Sequence, residues 1–133
     1  AKAGRLAVRY GRRSVLLSSA LVMLAGLLGT LIPWLPAIVL GLLVFTAGFF
    51  AAHSVANGWV PALASAGKAQ ASSLYTLLYY GGSSVLGFAV GVLFTTGGWG
   101  SAVAAVAALI VVAVALAAVF LPRGEPLVEA RST

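Results

Sequence analysis

Gly4-Arg5-Leu6-Ala7-Val8-Arg9-Tyr10-Gly11-Arg12-Arg13 runs straight into an apolar stretch over 14–31, and that junction decides how the chain is read. The ten residues hold four of the eight basic side chains, and Lys2 lies just ahead of them. Arginine resists crossing a bilayer, so a basic cluster set against a hydrophobic run marks the cytoplasmic side of a membrane.

Composition agrees with a bilayer as solvent. The 133 residues are 62% hydrophobic and 8% charged, whereas a soluble domain carries about 25% charged residues. The net charge of +6 would suggest nucleic acid if the basic residues shared one folded face. Instead they flank apolar runs, where they orient spans and meet anionic lipid. Nucleic acid is therefore not an expected partner, and the lipid bilayer is. The absence of cysteine rules out disulfides and thiolate metal sites.

A helical span needs about 20 apolar residues. Four runs qualify, over 14–31, 35–56, 72–96 and 101–121, and they are too continuous for the alternating strands of a membrane barrel. The expected organisation is an all-α membrane protein. A basic loop over 1–13 precedes a four-helix region over 14–121, and a tail over 122–133 follows. Lys68 lies between the second and third runs, and Arg123 and Arg131 follow the fourth. With four spans every basic segment falls on one side, so both termini are expected in the cytoplasm. Trp34 and Trp99 then mark the outer turns, and Tyr10 and Trp59 the inner boundary, as interfacial aromatic belts. The run from Ser14 is too long for a signal peptide. The chain opens inside a loop at Ala1, which reads as a piece of a longer protein.

The helices differ. Ser18, Val22, Ala25 and Gly29 form a small-residue stripe on the first. On the second, Gly41, Phe45, Gly48 and Ala52 share one face, and Thr46, Phe50, His53 and Asn57 another. The third is the most polar, with Ser73, Thr76, Tyr80, Ser83 or Ser84, Gly87 and Gly91 along one stripe. Gly87-x-x-x-Gly91 is a close-packing motif, and Gly81-Gly82 offers a mid-span bend. The fourth is nearly pure Ala, Val and Leu, suited to lipid. Solute contact is thus expected on the second and third helices, with Phe50, Tyr79, Tyr80 and Ser83 as cavity candidates. Gly41, Gly48, Gly87 and Gly91 are the packing candidates.

The basic loop resembles a known motif. Gly4-x-Leu6-Ala7-x-Arg9-x-Gly11-Arg12-Arg13 is similar to the G-x-L-A-D-R-x-G-R-R/K loop of the major facilitator superfamily. That loop lies between helices two and three, with a weaker copy between helices eight and nine. Four spans behind it imply helices nine to twelve of a twelve-helix fold. The stretches 48–60, 70–75 and 79–84 (Gly48-Phe49-Phe50, Gln70-Ala71-Ser72, Tyr79-Tyr80-Gly81-Gly82) are similar to bacterial inner-membrane members of the drug/proton-antiporter-like branch. The resemblance implies the C-terminal part of a secondary active transporter for a small organic solute or drug, with exchange for protons as one option. It also implies the N-terminal helices of the same full-length protein as partners, and no cofactor. The motif's aspartate is Val8 here, which fits the weaker copy and leaves a loop latch without its acid.

The two acids, Glu125 and Glu129, lie in the tail. The one candidate within the spans for proton coupling is His53, of the side-chain type that changes charge near neutral pH. The competing reading places it in interfacial water with a structural role. Tyr75, Tyr79 and Tyr80 could stack on a flat or cationic solute or simply pack helices, and Tyr75, nearer the headgroups, ranks below the other two. Arg9, Arg12 and Arg13 are topology determinants first. No metal cluster, catalytic triad or paired carboxylates can be assembled, so an enzyme is not expected. A reading of another class is a self-contained four-helix protein, acting as an oligomeric small carrier or a non-transporting assembly subunit. Small carriers of that size rely on an acid in the first span, which 14–31 lacks.

Overall fold

The computed structural model describes residues 10–121. Gly4, Leu6, Val8 and Arg9 of the loop motif lie outside them, as does the tail with Glu125 and Glu129. Three helices follow one another: α1 (Arg12–Gly29), α2 (Leu35–Leu63) and α3 (Lys68–Phe120). Each is long and apolar enough to cross a membrane.

Gly11 precedes α1 with φ 86°, a left-handed conformation that glycine adopts without steric cost. The helix then starts at Arg12, so two of the motif's arginines stand in its first turn. At the other end the Thr30 hydroxyl donates to the Leu27 carbonyl at 2.6 Å. Leu31 and Ile32 tighten the chain with bonds to Leu28 and Gly29. Pro33 stops the helix because it has no N–H to offer. Pro36 sits in the first turn of α2, where the missing donor costs nothing.

α2 continues past 56 to Leu63, with Pro61 accommodated in its last turn. Trp59 is 7% exposed, so it packs inside the protein and does not serve as an interfacial anchor. Gly67, at φ 66°, turns the chain into α3.

The expected connection over 95–100 is reduced to a sharp kink, where two helices meet at a single non-helical residue, Gly98 (φ 73°, ψ −169°). Thr95, Thr96 and Ser101 turn their hydroxyls back onto carbonyls of their own helix, and no proline interrupts the run. Gly98 divides α3 into arms over 68–97 and 99–120, each of spanning length. Gly81 and Gly82 keep helical backbone angles, so the only non-helical residue in α3 is Gly98.

α1 and α2 pack backbone to backbone. A Cβ on Gly26 would lie 2.4 Å from the Phe45 nitrogen, and one on Gly48 2.8 Å from the Ser19 carbonyl oxygen. Ser19 and Gly26 repeat at a seven-residue interval, as do Gly41 and Gly48. That period keeps two helices in contact along a shared seam. The seam on α1 is therefore Ser19, Met23 and Gly26. The stripe Ser18, Val22, Ala25 lies one residue round and is exposed.

The second arm of α3 runs back along α1. Trp99 Nε1 donates to Thr30 Oγ1 at 3.2 Å near one end, and Arg13 donates to the Ala118 carbonyl at the other. Leu27, Val103 and Ile110 form the buried core between them. Large apolar side chains such as Phe88, Val85 and Val119 remain 70–77% exposed, which suits a lipid-facing surface more than a watery one.

Candidate functional site

The first arm of α3 meets α2 at an aromatic cluster. Residues four apart on a helix share a face, so Phe49 and His53 project together from α2, and Tyr75 and Tyr79 from α3. The Gly67 turn brings the pairs face to face in antiparallel register. The Tyr75 hydroxyl and His53 Nδ1 are 3.0 Å apart. Either the tyrosine donates to a neutral ring or the ring N–H donates to the tyrosine oxygen, according to the tautomer. The His53 ring lies 4.6 Å from that of Tyr79 and 5.7 Å from that of Phe49, stacked on the latter. His53 is half-buried, and among the described residues no carboxylate stands near it.

The other candidates fall elsewhere. Phe50 is 60% exposed and touches the cluster through an edge contact with Phe49 at 5.5 Å. Tyr80 meets Tyr79 edge-on at 5.1 Å but is 65% exposed. With Ser72, Ser73 and Thr76 it lines an open notch on the side of the arm turned from α2. Thr76 donates to the Ser72 carbonyl, and Ser83 to that of Tyr80. These hydroxyl protons are spent on the helix, so the lone pairs left over present an acceptor-rich face. Gly41 and Gly48 lie in the α1–α2 seam, whereas Gly87 and Gly91 have open space where a Cβ would point. Gly11 starts α1, Arg13 binds the end of α3, and Arg12 stands in the same turn.

One member of the cluster, Phe49, was not singled out by the sequence as a site residue, and Tyr75 was ranked below Tyr79 and Tyr80. The available signal was the matched pair of four-residue spacings on either side of Gly67. Among the described residues no group of three His, Cys, Asp or Glu side chains is placed to hold a metal. The arrangement can hold a hydrogen bond between His53 and Tyr75, stack on a planar solute through Tyr80, and accept hydrogen bonds along Ser73 and Thr76.

No family model and no solved structure matches the chain. Curated proteins do. The chain is 47% identical over 94 residues to an uncharacterised MFS-type transporter, YybF, of Bacillus subtilis strain 168, covering 71% of this chain and 23% of that protein. It is 50% identical over 112 residues to the inner membrane transport protein YnfM of Escherichia coli K12, covering 84% and 27%. An uncharacterised transporter of Buchnera aphidicola subsp. Schizaphis graminum is 46% identical over 86 residues, covering 65% and 21%. The chain spans about a quarter of the length of these relatives.

Proposed function

We propose, on the premise that this chain belongs to the MFS-type transporters, that it forms helices nine to twelve of a secondary active transporter. It is a multi-pass membrane segment of a transporter, and the relatives' names carry that much. The finer reading is a protein of the bacterial inner membrane that moves a small organic solute or drug, with both basic ends in the cytoplasm. The break at Gly98 supports counting α3 as two crossings, hence four in all.

In this reading α2 and the first arm of α3 face the solute, and α1 and the second arm stand behind them. An N-terminal half rocks against this one around a midplane site. Tyr80, Thr76 and Ser73 contact the solute. His53, held by Tyr75, is the group in these spans able to carry a coupled proton, and polar groups at membrane depth are costly enough to suggest a function. The observation that carries the proposal is the 47% and 50% identity to proteins named as transporters.

The full-length reading frame tests it. About eight further spans should precede Ala1, with a second G-x-L-A-D-R-x-G-R-R-like loop after the second of them. A start codon directly before Ala1 would overturn it. Single cysteines at Ala66 and Gly100, beside the positive-φ glycines and not on them, should then label from opposite sides, Ala66 from the cytoplasm. Labelling from one side would refute four crossings.

A further inference from the structure

The end of α3 is held by a residue of the basic loop motif. A carbonyl inside an α-helix accepts from the N–H four residues on. For Ala118 that residue is Pro122, which has no N–H to give. Arg13 fills the place, because its guanidinium donates to the Ala118 carbonyl. One side chain so joins the start of α1 to the last turn of α3.

The contact leaves the cation short of an acceptor. A guanidinium carries five N–H donors and a full positive charge. Among the described residues the Ala118 carbonyl is the one acceptor that Arg13 finds, and its Nε is buried without a hydrogen-bond partner. Buried donors left unpaired are costly, charged ones most of all. Residues 10–121 contain no Asp or Glu. The loop offers none either, since Val8 stands where the motif has aspartate. The two acids of the sequence are Glu125 and Glu129, both just past α3.

Chain length selects between them. Glu125 lies four residues past Leu121, so its Cα stays within about 14 Å of the end of α3. Pro122 and Gly124 stand between, residue types that turn a chain back. Glu129 has twice that tether, which lowers its effective concentration at the same point. We propose that the Glu125 carboxylate pairs with the Arg13 guanidinium and that the tail clamps the basic loop to the end of α3. The acid missing at Val8 is then supplied from the tail. The clamp rests on the contact between α1 and α3 and not on transport, so a protein that moved no solute would still form it.

The test reads the tail in the full-length protein freed of other cysteines, with a spin label on Leu127→Cys. Most of the label should be immobile. Glu125→Gln and Arg13→Gln should each lower the immobile-to-mobile ratio about ten-fold, the factor for one charge-assisted hydrogen bond. The double variant should fall no further, and Glu129→Gln should keep the parent ratio. Glu125 lies outside α1, α2 and α3, so its substitution reads the pair even if α1 tolerates the loss of Arg13 poorly. A label mobile in the parent protein, immobility that survives Glu125→Gln or Arg13→Gln, a further fall in the double variant, or release by Glu129→Gln would each overturn the clamp.

Discussion

His53 is held on three sides. Phe49 and Tyr79 flank its ring and Tyr75 bonds Nδ1. Removing parts of this cage separates packing from proton chemistry. Tyr75→Phe keeps the ring and deletes the hydroxyl. Side-chain hydrogen bonds inside membrane proteins average about 0.6 kcal/mol, so the full-length protein should unfold almost as before while its pH profile of transport shifts. His53→Gln should fold as well, since the ring is only half-buried. It should flatten the pH dependence of transport measured in proteoliposomes. An unchanged profile in His53→Gln would reduce the histidine to a packing residue. His53, Tyr79 and Tyr80 were legible as candidates because polar aromatics are rare in such apolar runs. Their roles were not, because a chain this uniformly hydrophobic does not reveal which ring faces which helix. Tyr79 spends one face on His53, and Tyr80 remains open.

Between helices the contact is made of missing side chains. Gly26 sits where any Cβ would strike the Phe45 nitrogen, at 2.4 Å, and the Gly41 carbonyl oxygen, at 2.6 Å. Backbone cannot yield as a flexible side chain can, so Gly26→Ala should cost about 1–3 kcal/mol, the usual penalty of overpacking. Gly29, three residues on, would place its Cβ at an ordinary 3.7 Å from Gly41, and Gly29→Ala should be near neutral. Thermal unfolding of the two purified variants compares them, and equal losses would contradict the seam. The helices themselves were legible from apolar length and from Pro33. The rotation of α1 was not: the stripe through Ser18 and Gly29 lies about 100° from the seam through Ser19 and Gly26. The contrast between polar and apolar faces that normally orients a helix is missing when every face is apolar. The matched seven-residue spacing of small residues on α1 and α2 was the better signal. The turn at Gly98 was legible as the gap between the runs over 72–96 and 101–121, but not its tightness: threonine and serine hydroxyls bond helix carbonyls on both sides of the kink.

At the scale of the whole chain, each helix is shared between two environments. α2 turns Phe49 and His53 toward the first arm of α3 and Ala47 and Ala51 toward an open, mostly apolar furrow that it shares with Ser18 and Val22 of α1. α1 turns Gly26 to α2 and Leu27 to the second arm. Under the proposed function that sorting gives one side of the bundle to solute and the other to lipid. It explains why the acceptor-rich notch at Tyr80 and the smooth surface at Val112 occur in one apolar chain. The most direct test of this division is water access in the full-length protein freed of other cysteines. A membrane-impermeant thiol reagent should modify Tyr80→Cys through an aqueous cavity and leave Val112→Cys, exposed to lipid, untouched. Equal modification at both positions, or none at Tyr80→Cys from either side of the membrane, would contradict it.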